Sequence, residues 1–179
     1  ANTDQVKMVS AKEHHANPGV TMQRTMFLLS LPAFSHPLVV DVMKVNSTDK
    51  HQYDLPFYFK GHLMNTSYPY EAFTTHRHLL GESNGYQHLW VVAKGKAENN
   101  MAATTWLNGN RFYTLTTLAH TQSELYLNRI GGTDPEFNLR NEPCFMIREK
   151  NAGNHTFVST IEAHGDYNPQ MEYTLYPHP

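Results

Sequence analysis

The sequence predicts an all-β fold, an antiparallel β-sandwich, on three observations. Apolar residues recur mainly with period two. Gly, Pro, Asn and Asp punctuate the chain at short intervals. No stretch of a dozen residues carries a helical stripe. Nine or so short strands separated by turns bury their apolar faces by packing sheet against sheet.

The elements follow in order. Residues 20–31 form a β-rich run between Pro18-Gly19 and Pro32, and residues 38–45 a second one, closed by Asn46-Ser47-Thr48-Asp49. In 51–60, His51, Tyr53, Leu55, Phe57 and Phe59 share one face. Gln52, Asp54, Pro56, Tyr58 and Lys60 share the other. Pro56 has no amide to donate, which assigns this strand to an edge or a bulge. Residues 64–85 hold no period and read as a long irregular excursion, followed by a strand over 87–93.

Two runs, 101–107 and 111–118, flank Asn108-Gly109, a hairpin signal of the type I′ kind. Residues 123–130 form another strand, ended by Gly131-Gly132. Residues 143–149 and 155–164 flank Asn151-Ala152-Gly153-Asn154 and read as a second hairpin, and the tail from Gly165 is polar. Neither repeat nor linker divides the chain, so residues 1–179 read as one sandwich domain. The chain opens at Ala1 with neither initiator Met nor signal peptide, and the expectation is a processed or truncated product.

Composition narrows the function classes. Formal net charge is -2 with histidine neutral, and charged residues make up only 17% of the chain, so neutral or hydroxyl-rich partners suit its surface. The twelve histidines turn the chain cationic below about pH 6. No basic run points to nucleic acid. No apolar run approaches the roughly 18 residues of a membrane-spanning helix. Cys144, in PCFMI, is the sole cysteine, which excludes an intrachain disulfide and reads as a buried thiol. Three glycosylation triplets, at Asn46, Asn65 and Asn154, are expected by chance in a chain so rich in Asn, Ser and Thr.

Reactive constellations are sparse. His76 and His78 form an HxH without a diagnostic carboxylate, and His14-His15 is weaker still. There is no nucleophile elbow and no phosphate-cradling glycine loop. Two stretches carry polar residues that packing does not require. In FNLRNEP, Arg140 and Glu142 share a face if extended: either a surface ion pair or a charged rim meeting a ligand or another domain. In STIEAHGDY, Glu162 and His164 lie opposite Ile161: either exposed polar residues beside a turn or part of a site at a strand exit.

Six segments in order carry a resemblance: NPGVTMQRTMFLL, HPLVVDVMKVNSTDKHQYDLPFYFKGHL, GYQHLW, TTWLNGNRFYTLTT, DPEFNLRNEP and NHTFVSTIEAHGDYNP. Together, from about Ser10 to about Pro169, they resemble the C-terminal region of the alginate lyases of polysaccharide lyase family 17, in the heparinase II/III-like group. The resemblance implies an enzyme with an N-terminal α/α toroid followed by a β-sandwich, cleaving oligo-alginate from the chain end by β-elimination. It implies Asn and His to neutralise the uronate carboxylate, Tyr and His as base and acid, and a structural zinc held by His and Asp.

The family's segments supplying those groups do not occur here, so no catalytic residue and no metal ligand transfers to this chain, and the zinc ligands are expected upstream. The expectation is the C-terminal sandwich portion of such a lyase, inactive alone. Arg140, Glu142, Glu162 and His164 are its candidate substrate-binding residues. Expected partners are alginate oligosaccharide and the missing N-terminal toroid, with no nucleic acid and no membrane. The family implies the bacterial periplasm or secretion. The alternative is a stand-alone, non-catalytic sandwich that binds acidic polysaccharide.

Overall fold

In a computed structural model, residues 2–131 and 141–168 are described, and they build two antiparallel sheets packed face to face. The strands are β1 (Val6–Asn17), β2 (Val20–Leu29), β3 (Leu38–Ser47), β4 (His51–Tyr58), β5 (His62–Thr66), β6 (Tyr70–Ala72) and β7 (His78–Leu79). They continue with β8 (Leu89–Lys96), β9 (Met101–Asn108), β10 (Arg111–Leu118), β11 (Glu124–Ile130), β12 (Pro143–Ala152) and β13 (His155–Asp166). One sheet runs β1-β2-β3-β13-β10-β9-β5. The other runs β4-β12-β11-β8-β6, with β7 also on β8. Among the described residues no helix is long and apolar enough to cross a membrane.

The alternation in 51–58 is a buried-face pattern. Tyr53, Leu55 and Phe59 are buried, while Gln52, Tyr58 and Lys60 are exposed. They enter a core that also takes Phe145 and Ile147 from β12, Leu125 and Leu127 from β11, and Trp106, Leu115 and Phe157 from the facing sheet. Pro56 sits opposite Met146 on an edge strand, where its missing amide proton costs no ladder bond. A bidentate pair closes the sandwich at β2 and β3: Arg24 donates to both Asp41 oxygens, at 2.9 and 2.6 Å for the shorter contacts, and Asp41 is buried.

Residues 6–17, to which the sequence assigned no element, form a long strand paired with β2 around Pro18-Gly19, where Gly19 takes φ +73°. Three expectations change. The excursion 64–85 contains the short strands β6 and β7 and the end of β5. The turn after β9 is shifted by one residue. Asn108 pairs with Arg111, so Gly109-Asn110 are central, and only Gly109 has positive φ (+64°), the type II′ pattern.

The expected hairpin at 151–154 is instead a corner. β12 belongs to one sheet and β13 to the other, and Asn151 at φ +56° helps turn the chain between layers.

The excursion also roofs the six-stranded sheet. A β8 bulge at Val92 turns Val91 outward, where it joins Tyr126, Cys144 and Met146. Phe73 and Leu80 pack on this second cluster. Beside it, Arg148 forks onto Asp54 with two 2.8 Å bonds, Tyr86 donates its hydroxyl to the same carboxylate, and the guanidinium lies over the Tyr126 ring at 4.9 Å. Seven consecutive residues, Pro143–Glu149, are therefore buried, although a half-exposed strand would bury alternate ones.

Candidate functional site

A concavity of about 630 Å³ lies between the sheets at one end of the sandwich. Here β4, β9 and β11 finish while β10 and β12 begin. Phe59, Trp106 and Tyr113 form an aromatic row along its wall. The Phe59 and Trp106 rings stack at 4.7 Å, and Trp106 and Tyr113 at 5.6 Å with planes 14° apart. Cross-strand register explains the second pair, because Trp106 lies directly opposite Tyr113 on the core face. Tyr58 and Lys60 stand at the mouth, Tyr58 being 54% exposed. Asn108, Ile130, Glu142 and Ile161 complete the lining.

Backbone geometry fixes the mouth. Phe59 donates its amide to the Pro143 carbonyl at 3.1 Å, holding the end of β4 to the start of β12. Gly61 then crosses to the other sheet at φ +101°, so close to β9 that a Cβ would lie 1.9 Å from the Leu107 oxygen. Only glycine fits that crossing, and it is what leaves Lys60 at the rim. Ile130 donates its amide to the Glu142 carbonyl at 3.0 Å, joining β11 to the entry of β12.

Of the four expected binding residues, the three that are described are not brought together. Arg140 lies outside the described residues. Glu142 lines the cleft. Glu162 and His164 belong to the outer face of the seven-stranded sheet, on the side away from Leu115 and Ile161. There Glu162 is exposed. His164 is half-buried, hydrogen-bonded through Nε2 to the Thr114 hydroxyl at 2.7 Å, and Thr114 in turn meets Thr105 at 2.7 Å.

Sequence reasoning missed Tyr58, Lys60, Trp106, Asn108 and Tyr113 as neighbours. The aromatic alternation of 51–60 was the one signal pointing at part of the wall.

Other polar clusters are committed to the fold. Burial by itself would raise the Glu124 carboxyl, but hydrogen bonds from Lys150, Lys94 and Tyr126 outweigh it and bring it down to about 2. Burial, then the bond to Asp54, push the Tyr86 hydroxyl up to about 12. Burial also opposes the charge of Arg148, yet its bonds with Asp54 hold the guanidinium above its ordinary value. Cys144 is fully buried, and burial raises its thiol to about 12, the behaviour of a packing residue and not a nucleophile. His78 sets its ring against Phe73 at 5.1 Å. Among the described residues no three His, Cys, Asp or Glu side chains converge as metal ligands would.

Known proteins were compared with this chain. An alginate lyase of Stenotrophomonas maltophilia is 39% identical over 167 residues, 93% of this chain. An exo-oligoalginate lyase of Saccharophagus degradans is 34% identical over 171 residues, 94% of it. This chain is homologous to a segment of the alginate lyases. The chain spans only 22% and 23% of the length of those two relatives. No family model matches it.

Its fold recurs in crystal structures of a heparan sulfate lyase of Pedobacter heparinus. The mutant aligns with TM-score 0.56 at 12% identity, and the other structure with 0.55 at 13%. Both alignments cover 94% of this chain and 22% of the solved chain. The expected antiparallel sandwich is thus the fold found, and it is shared with these two structures.

Proposed function

We propose that this chain is the sandwich portion of an exolytic alginate lyase that degrades oligo-alginate by β-elimination, where it supports the substrate cleft and packs against an α/α toroid. One observation carries the reading: 39% identity to an alginate lyase, sustained across 93% of the chain. Elimination from a uronate requires the carboxylate to be neutralised before the neighbouring carbon gives up its proton, then a base and an acid at that carbon. On this reading those groups and the zinc ligands lie in the rest of the polypeptide. The partners are that toroid and alginate oligosaccharide, and the enzyme works in the periplasm or outside the cell. Neither nucleic acid nor membrane takes part.

A second reading, a stand-alone module that binds acidic polysaccharide, draws support from the aromatic cleft of about 630 Å³. The test joins both. Oligo-alginate is mixed with the isolated chain and with the same chain joined to its toroid, and ultraviolet absorbance of the new double bond conjugated to the carboxylate is followed. Absorbance should rise only for the joined protein. A rise with the isolated chain would overturn the assigned role. No rise with the joined protein, together with tight calorimetric binding by the isolated chain, would favour the stand-alone module.

A further inference from the structure

We infer that the cleft at the sandwich end is a subsite for one uronate ring of an acidic oligosaccharide, with Lys60 facing the sugar carboxylate and Tyr58 and Trp106 forming the wall against its C–H face. The ligand class rests on the reading proposed above; the site itself rests on the cleft. Its volume of about 630 Å³ falls within the range of roughly 300–1,000 Å³ usual for small-molecule sites. The lining sorts into the three chemistries that a uronate presents.

The sugar's apolar C–H surface meets the Tyr58 and Trp106 rings, amphipathic groups that give contact area at little entropic cost. Its hydroxyls find Asn108, which donates and accepts. Its carboxylate finds Lys60, the one cationic side chain among the described lining residues, exposed at the mouth.

Other occupants fit less well. An alkyl chain would leave Lys60 and Asn108 against hydrocarbon without hydrogen bonds. The roofed Arg148 cluster offers nothing to a sugar, since Asp54, Tyr86 and Tyr126 already occupy the guanidinium. The outer-face histidine, His164, is bonded to Thr114.

The whole 179-residue chain is titrated with a saturated mannuronate tetramer and with a mannose tetramer of the same linkage lacking carboxylates. Readouts are calorimetry and tryptophan fluorescence, to which Trp106 contributes from the cleft wall. The mannuronate tetramer should bind and change the fluorescence. The neutral tetramer, Lys60→Met and Tyr58→Ala should each weaken binding about fivefold or more, the scale of one partly exposed ion pair or contact. Both substituted side chains are exposed, so both variants should keep the wild-type circular dichroism. Lys44→Met removes the same charge from the outer face of the seven-stranded sheet and should leave the affinity unchanged.

Equal affinity for the two tetramers, wild-type affinity in Lys60→Met, or no binding by the folded chain would each overturn the subsite. These outcomes are separable from failure of the lyase reading. If the toroid-joined enzyme still makes the unsaturated product with an unchanged KM in Lys60→Met, the subsite is wrong and the lyase reading stands. If the joined wild type makes no product, the lyase reading itself is wrong.

Discussion

Both sheets carry polar side chains on the face turned away from the shared core, and the two faces treat them differently. On the six-stranded sheet, residues 73–88 lie over the polar groups and shut them from water. Arg148 and Asp54 keep side-chain exposures of only 10% and 5%, and each is met by several partners. On the seven-stranded sheet nothing among the described residues lies over Glu162, and His164 and Thr114 are half-buried at most. A charge under a roof is bound to the fold, because removing its partner strands it in a poor solvent. A charge on the open face is replaceable by water. Polar residues that look alike in sequence therefore differ in what their loss should do.

The contrast can be broken at its strongest point with a thiol reagent. Cys144 lies beneath the roof with its thiol raised from 9.0 to about 12. In mildly alkaline buffer it should react at least about a thousandfold more slowly in the folded chain than in the urea-unfolded chain. Ready reaction would mean that the roof opens easily.

Next in size, Arg148→Met should lower unfolding free energy in urea by about 3–5 kcal/mol, because Asp54 keeps its charge and loses its fork. The double variant Arg148→Met, Asp54→Leu should recover most of that loss.

Glu124 gives a pH signature. Its folded pKa is lowered from 4.5 to about 2, so its stabilisation is full above pH 4.5 and disappears as pH falls toward 2. Lys94 and Lys150 keep side-chain exposures of 37% and 49%, so water screens the pairs and the contribution is about 1–2 kcal/mol. In Glu124→Gln that acid slope should flatten by this amount.

Tyr86→Phe removes one donor from Asp54 while the Arg148 fork stays, and should cost about 1 kcal/mol. The smallest effect belongs to the open face. Thr114→Val deletes the hydroxyl between Thr105 and His164 and should cost under about 0.5 kcal/mol, because water can take its place. A larger loss there than at Tyr86 would reverse the comparison.

Legibility in the sequence follows the same division. The strand at 51–58 could be read because one of its faces is apolar and in the core, while the other carries Gln52, Asp54, Pro56 and Tyr58. The 143–149 segment gave a strand but hid its position, since burial on both sides erases alternation and with it the clue to which sheet it joins. At 6–17 the opposite holds: nearly every residue is exposed, so no apolar period marks the strand. Turn chemistry at Asn151 correctly signalled a reversal, but whether a reversal closes a hairpin or changes layers depends on distant partners. The cleft was hidden for a related reason. Lys60, the β9 pair Trp106 and Asn108, and Glu142 come from three distant parts of the chain, and only sheet packing makes them neighbours.

The first strand has one more consequence. Among the described residues β1 pairs only with β2, so the other margin of this twelve-residue strand presents amides and carbonyls that no described strand claims. Such a margin is a template on which a further strand can grow, from a sister molecule as readily as from the same polypeptide. Lys7, Lys12 and Glu13 interrupt it with charge, the usual defence against fibrillar stacking. In concentrated solution, self-association of the chain should begin along this margin, and covering it should do more for solubility than any change to the interior.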